Sequence, residues 1–324
     1  MAFSDGFKSI IHDLPVNDFE SAAIELFDYQ WNENAIYQEY CKSLKRSPSN
    51  VKEIRDIPFI PIAFFKEHQI QTGKWTPETT FLSSGTTKSK RSQHLVASLD
   101  FYLRNSVACF EKNYGSLDSK TFMALLPSYQ EQGSSSLIAM VHHFMQLAST
   151  PSKFYLNDHE SLLKDLEHVD EKFFLIGVSF ALLNFIERYR EVAVNCIIME
   201  TGGMKGRRKE LIRQELHRQL EKGFGVGEIH SEYGMTELFS QAYAKKEGVF
   251  QFPSWARVYI RDINDPFSFL LNQSTGGINI IDLANVDTCA FIETMDLGKK
   301  LDNSGFEVLG RFDNSDVRGC NLLI

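Results

Sequence analysis

Phe173-Phe-Leu-Ile-Gly-Val-Ser-Phe-Ala-Leu-Leu-Asn-Phe-Ile-Glu-Arg-Tyr-Arg-Glu-Val-Ala-Val-Asn-Cys-Ile-Ile-Met199 holds two short apolar runs with a helical stretch between them. Phe173 to Val178 is apolar throughout and Val194 to Met199 is apolar but for Asn195, as expected of buried strands. The segment between them continues as a helix through Tyr189. Its uncharged part, Phe173 to Ile186, spans about 14 residues, short of the roughly 20 that cross a bilayer as a helix. The stretch therefore reads as strand, helix, strand inside a globular core, and such alternation predicts a largely parallel sheet covered by helices.

The same grammar extends upstream. Thr121 to Leu126 and Lys153 to Leu156 read as strands, and Ser134-Ser-Ser-Leu-Ile-Ala-Met-Val-His-His-Phe144 opens with capping residues before an apolar helix. Asp158 is placed to cap a helix with Leu162, Leu163, Leu166 and Val169 on its buried face. Leu99, Leu103, Val107, Phe110 and Tyr114 form another helical stripe. Asp18 to Leu44 is a helical lead-in, and the prolines of Ile57-Pro-Phe-Ile-Pro-Ile-Ala-Phe-Phe65 predict an extended entry to the core. Downstream, a charged amphipathic helix is expected from Gly206 to Lys222, stopping at Gly223. From Val226 the chain turns β-rich, with strands at Phe250-Gln-Phe252, Trp255 to Ile260, Ile278 to Ile281, Cys289 to Ile292 and Phe306 to Leu309. The expected organisation is one α/β domain over 1–324: a helical lead-in (1–56), an α/β part (57–225), a β-rich part (226–310) and a hinge-like tail (311–324).

Composition narrows the function. The 324 residues are 43% hydrophobic and 23% charged with a net charge of −8, so a basic nucleic-acid surface is not expected. Five scattered cysteines, Cys41, Cys109, Cys196, Cys289 and Cys320, show neither paired nor zinc-ligand spacing. A reducing cytoplasm is the expected compartment. The N-terminus lacks the apolar core of a secretory signal.

Three segments carry chemistry. Phe81-Leu-Ser-Ser-Gly-Thr-Thr-Lys-Ser-Lys-Arg-Ser-Gln-His94 concentrates hydroxyls (Ser83, Ser84, Thr86, Thr87), a glycine (Gly85) and three cations (Lys88, Lys90, Arg91), the ingredients of a phosphate cradle or of a plain solvated loop. It is not a GxxxxGK[ST] loop, since no glycine stands at the required spacing. Met199-Glu-Thr-Gly-Gly-Met-Lys-Gly206 follows a buried strand, where open α/β sheets bind ligands; a simple glycine turn is the other reading. Glu228-Ile-His-Ser-Glu-Tyr-Gly-Met-Thr-Glu237 brings together an aromatic face, a hydroxyl and a carboxylate able to ligate Mg²⁺. His142, His143, His230 and the segment Tyr129 to Ser136 are weaker candidates.

Ser83-Ser-Gly-Thr-Thr87 with Tyr233-Gly-Met-Thr-Glu237 resembles the adenylate-forming superfamily of acyl-CoA synthetases, phenylacetate-CoA ligases and luciferases. Ile57 to Lys66, Glu200-Thr-Gly-Gly203, Asp296, Gly310-Arg311 and Arg318-Gly-Cys320 extend the likeness over nearly the whole chain, most closely to the LuxE-type acyl-protein synthetases. The resemblance implies the N-terminal-type adenylation fold, ATP and Mg²⁺ as cofactors, and a carboxylic, by family a fatty, acid as substrate. Ser83, Ser84, Gly85, Thr86 and Thr87 would grip the β/γ-phosphates, and Gly202 and Gly203 would line the adenine. Tyr233, in the segment with Gly234 and Met235, would stack on adenine. Thr236 would touch the α-phosphate and Glu237 would ligate Mg²⁺. Asp296 and Arg311 would bind the ribose.

Two departures from the superfamily pattern bear on mechanism. The glycine and Pro-Lys that usually follow the paired threonines are replaced by Lys88, Ser89, Lys90 and Arg91, so Lys90 and Arg91 are both candidates for the pyrophosphate. The mobile C-terminal domain with a catalytic lysine that acyl-CoA synthetases carry is not expected here, and the acyl-protein synthetases that the chain resembles hold the acyl group on a cysteine matched by Cys320. The resemblance thus implies acyl-AMP formation, transfer to Cys320, then delivery to an acyl-accepting reductase or carrier protein. A carboxylate–CoA or carrier-protein ligase and a catalytically silent nucleotide-binding module are the alternatives.

Overall fold

The computed structural model describes residues 3–84, 90–126, 133–156, 158–169, 172–189, 192–202, 211–302 and 304–312. The lead-in comprises α1 (Phe3–Ile10), α2 (Phe19–Glu33) and α3 (Ala35–Ser43). Asn34 separates the last two: its extended backbone ends α2, and its side-chain oxygen accepts the Tyr37 N–H at 3.0 Å, capping α3. β1 (Ile60–Pro61) follows, then α4 (Phe64–Glu67). The extended entry is shorter than expected, because past Pro61 no proline prevents a helical turn. β2 (Thr79–Leu82) and β3 (Gln93–Val96) form an antiparallel hairpin.

Alternation then runs through α5 (Leu99–Tyr114), β4 (Thr121–Leu125), α6 (Ser136–Leu147), β5 (Lys153–Phe154), α7 (His159–Leu166), β6 (Phe173–Val178) and α8 (Ser179–Arg188). It continues with β7 (Ile197–Thr201), α9 (Arg213–Phe224), β8 (His230–Tyr233) and β9 (Ala242–Ala244). Among the described residues these strands form one sheet, ordered β5-β4-β6-β7-β8-β9, parallel except for β9. Phe122, Ala124, Phe174, Ile176 and Met199 face a core shared with α5 and α6. Met123, Leu125, Leu175 and Ile198 face a second core with Leu162 of α7, Leu182 and Phe185 of α8, and Leu216 and Leu220 of α9. Burial on both faces explains the unbroken apolar runs.

The helix expected to stop at Gly223 passes through it to Phe224. A Cβ on Gly223 would lie 2.6 Å from Ile186 Cβ, so glycine here lets α9 press against α8. The terminator is Gly225, at φ +64°.

The β-rich part contains β10 (Val249–Phe250), β11 (Ala256–Arg261), β12 (Thr275–Asp282), β13 (Phe291–Lys300) and β14 (Phe306–Arg311). They pair antiparallel in the order β10-β14-β13-β12-β11, and β1 joins β13 in parallel through Ile60 and Ile292. β13 runs eight residues beyond the expected end at Ile292. Glu293, Asp296 and Lys299 interrupt its apolar pattern, and its pairing with β12 and β14 continues past them with register shifts near Asn279 and Leu297. One hydrophobic cluster joins Phe19 and Leu26 of α2, Phe81 of β2, Phe110 of α5, Ile280 of β12 and Phe306 of β14. Among the described residues no helix is long and apolar enough to cross a membrane.

Candidate functional site

The candidate segments meet at the carboxyl ends of β7 and β8, adjacent parallel strands whose residues Glu200 and Thr201 face Ser231 and Glu232 in register. β7 leaves the sheet at Gly202, whose φ of +55° is a left-handed conformation that glycine adopts without steric cost. β8 ends at Tyr233. Its ring packs against Phe250, Phe252 and Phe306 at centroid distances of 5.7, 6.2 and 5.6 Å. Its hydroxyl donates to Asp296 Oδ2 at 2.7 Å, and burial with the adjacent Asp296 keeps the phenol protonated. Arg311 Nε lies 3.3 Å from Asp296 Oδ1, its side chain 67% exposed. Asp296 and Arg311 are register partners across β13 and β14. Burial raises the Asp296 pKa, with Tyr233 and Arg311 pulling the other way. Three residues far apart in sequence thus form one bonded unit.

Beyond Tyr233 the chain turns through Gly234, where a Cβ would fall 2.4 Å from Glu232 Oε1. A side chain at this position would have to displace the Glu232 carboxyl. Thr236 is half-buried and Glu237 buried. Burial raises the Glu237 pKa, opposed by the Ser92 hydroxyl, Arg311 and Lys66. Mg²⁺ is commonly held by one or two protein carboxylates with phosphate and water oxygens. Glu237 fits that habit, since its ionised form is penalised by burial and a cation would relieve the penalty. Among the described residues no group of three or more His, Cys, Asp or Glu side chains forms a metal cage.

Side chains from distant segments fix the backbone of this turn. His94 Nδ1 bonds the Thr236 carbonyl at 2.7 Å and Asn285 Nδ2 donates to the Glu237 carbonyl at 2.8 Å. Asp282 accepts from Phe239 N at 2.9 Å, Ser240 N at 2.8 Å and Ser240 Oγ at 2.7 Å. Asn105 Nδ2 donates to the Phe239 carbonyl at 2.8 Å. None was singled out from sequence. Each acts across at least 42 residues, so no local spacing advertises it.

Past Leu82 the hairpin continues, with Ser83 N donating to Ser92 O at 3.0 Å and Ser92 N to Ser83 Oγ at 2.9 Å. Ser84 is exposed. Of the competing cations, Arg91 donates to the Ser83 and Leu82 carbonyls, inside the hairpin. Lys90 pairs at 3.0 Å with Glu67, both side chains more than half exposed. Gly85, Thr86, Thr87, Gly203, Tyr129 and Cys320 lie outside the described residues.

On β7, Glu200 accepts from Ser179 Oγ at 2.8 Å and from Arg213 Nη1. Burial would raise its pKa, but Arg213 and His217 prevail and hold it at about 2. The Arg213 guanidinium also lies 4.8 Å from the Phe250 ring, linking α9 to the aromatic box around Tyr233. Glu232 accepts from Thr201 Oγ1, and burial together with Glu200 pushes its pKa up to about 7. His230 bonds the Tyr114 hydroxyl at 3.0 Å, and burial lowers its pKa to about 4. The His142 ring lies 6.4 Å from Phe154, and burial lowers the His143 pKa. Cys41, Cys109 and Cys289 are buried and Cys196 half-buried, all with free thiols whose pKa burial raises, to about 12 for Cys41 and Cys196.

The sequence family described as "Acyl-protein synthetase, LuxE" matches residues 16–324. No curated protein sequence matches the chain. Several solved structures share the fold. ATP-bound MatB from Rhodopseudomonas palustris is 14% identical at a TM-score of 0.53, over 74% of this chain and 49% of that one. A 2-hydroxyisobutyryl-CoA ligase in complex with 2-HIB-AMP and CoA is 11% identical at 0.69, over 92% and 70%. Apo MbtA from Mycobacterium smegmatis is 13% identical at 0.52, over 72% and 46%. The chain spans about half the length of MatB.

Proposed function

The chain belongs to the acyl-protein synthetase (LuxE) family, and from that premise we propose that it uses ATP to convert a carboxylic acid, by family a fatty acid, to acyl-AMP and then carries the acyl group on Cys320. The observation that carries this reading is the bonded unit of Tyr233, Asp296 and Arg311 beside Glu237 at the ends of β7 and β8. In the first step a substrate carboxylate oxygen attacks the α-phosphate and the α–β phosphate bond breaks, releasing pyrophosphate. In the second the Cys320 thiolate attacks the acyl carbonyl and AMP leaves. A reductase or carrier protein then accepts the acyl group.

Each residue has a part that its surroundings support. The Tyr233 ring, backed by Phe250, Phe252 and Phe306, offers an apolar wall for adenine. Asp296 accepts the Tyr233 hydroxyl on Oδ2, forms an ion pair with the exposed Arg311 through Oδ1, and keeps lone pairs for the ribose hydroxyls. Thr236 donates to the α-phosphate. Glu237 would hold Mg²⁺, which supplies charge neutralisation on phosphate oxygens. Ser83 and Ser84, with Gly85, Thr86 and Thr87 that follow them in sequence, grip the β- and γ-phosphates. Gly202 and Gly203 line the adenine. Lys90, in an exposed pair, can swing to the pyrophosphate more readily than Arg91, which the hairpin backbone holds. The four described thiols are poor nucleophiles because burial opposes their ionisation, leaving Cys320 for the acyl group. Free thiols agree with a reducing cytoplasm.

The test is carboxylate-dependent ATP–pyrophosphate exchange across a panel of acids, with intact-protein mass measured before and after. Exchange that falls at least 100-fold in Glu237→Ala, and an acyl adduct that vanishes in Cys320→Ala, are the expected results. An enzyme that exchanges with no acid refutes the adenylation reading. Exchange without a Cys320-dependent adduct replaces the acyl-protein step with transfer to CoA or a carrier protein.

A further inference from the structure

We propose that His94 is a positioning residue for adenylation: through the Thr236 carbonyl it sets the aim of Thr236 and Glu237 relative to the hairpin bearing Ser83. The inference rests on the reading of the site as acyl-adenylate-forming. His94 stands on β3 opposite Phe81, two residues before Ser83, and is fully buried. Its Nδ1 lies 2.7 Å from Thr236 O and its Nε2 3.0 Å from Thr288 Oγ1. A carbonyl oxygen only accepts, so Nδ1 carries the proton and Nε2 accepts the Thr288 hydroxyl. The ring is flanked by Phe65 at 5.6 Å and Phe239 at 4.8 Å.

The residue that meets Nε2 is itself held in place. The Thr288 carbonyl accepts from Asn34 Nδ2 at 2.9 Å and Thr72 Oγ1 at 2.5 Å, which fixes the residue whose hydroxyl orients the imidazole. Filling this space alone would call for an apolar side chain, since a buried polar ring costs stability unless both nitrogens are satisfied. Here both are, and one partner is the backbone of the residue assigned to the α-phosphate. An error of about 1 Å in such a group costs rate far more than binding. His94 therefore ties two parts of the site, the phosphate hairpin and the Thr236–Glu237 turn, to one reference point in the core.

Two conservative variants separate positioning from packing. His94→Asn presents an amide N–H near the Nδ1 position and keeps the donor to Thr236. His94→Gln presents its amide near Nε2, serves Thr288 and loses Thr236. Exchange is measured at saturating acid, well below the lowest melting temperature of the set. His94→Asn is expected within about 3-fold of the wild-type kcat, and His94→Gln at least 30-fold lower with KM for MgATP changed less than about 3-fold. Wild-type kcat in His94→Gln, or equal loss in both variants, overturns the proposal. If neither folds, Thr288→Val removes the hydroxyl that orients the ring and should lower kcat at constant KM, with Thr288→Ser restoring it; unchanged kcat in Thr288→Val overturns the proposal equally. A wild-type enzyme that exchanges with no acid instead refutes the adenylation reading itself.

Discussion

Glu200 and Glu232 occupy neighbouring strands with opposite electrostatic fates. Glu200, depressed from 4.5 to about 2, adds stability that is complete above pH 4.5 and is lost as the pH falls towards 2. Glu232, raised from 4.5 to about 7, behaves in reverse: its share is complete below pH 4.5 and is lost as the pH rises through 7. Each displacement is worth on the order of 3 kcal/mol. Glu232→Gln keeps an acceptor for Thr201 and removes the penalised charge. It should unfold at higher temperature than wild type at pH 8, by an amount corresponding to about 1–3 kcal/mol, with the gap closing near pH 5. Melting curves at the two pH values check this, and a variant less stable at both contradicts it. Tyr233, Glu237, Asp296 and Arg311 were expected in one site because short motifs resembling those of a known family carry them, and the structure brings Tyr233, Asp296 and Arg311 into contact. His94, Asp282 and Asn285 were not expected there, because their work is done on backbone atoms of a turn 42 to 142 residues away.

At the scale of elements, β4 and β6 were readable because both faces are buried and every position is apolar or small. The far half of β13 was not, since Glu293, Asp296 and Lys299 stand on a strand whose pairing with β12 and β14 holds it. The end of α9 was misread because a glycine can stop a helix or let it touch a neighbour, and only the position of Ile186 tells which. That distinction gives a graded expectation. Gly223→Ala drives a methyl into Ile186 and should cost about 2 kcal/mol. Gly225→Ala places a Cβ on a left-handed residue with its nearest neighbour, Ala193 Cα, at 3.3 Å, costing about 1 kcal/mol. Urea midpoints measure both, and the reverse order refutes the packing role of Gly223.

At the scale of the whole molecule, the lead-in helices grip the connection between β12 and β13. Gln30 donates to the Asn285 and Val286 carbonyls at 2.9 and 3.1 Å and accepts from Ala290 N at 3.0 Å. Asn34 bonds both Thr72 and Thr288. Asn34→Ala removes these bonds and the α3 cap together, and a loss of roughly 2–4 kcal/mol is expected. We propose that the chain unfolds as one unit, so calorimetry of wild type and variant should each show a single transition; two resolved transitions contradict this. Asp287 meets Ser4 Oγ at 2.5 Å and Lys8 Nζ at 2.5 Å, the serine 283 positions away in sequence. A ribosome adding about 5–20 residues per second would leave Ser4 waiting roughly 15–60 s for that partner. Through that interval Phe7, Phe19 and Leu26 are apolar side chains without their far packing partners, natural clients for a nascent-chain chaperone.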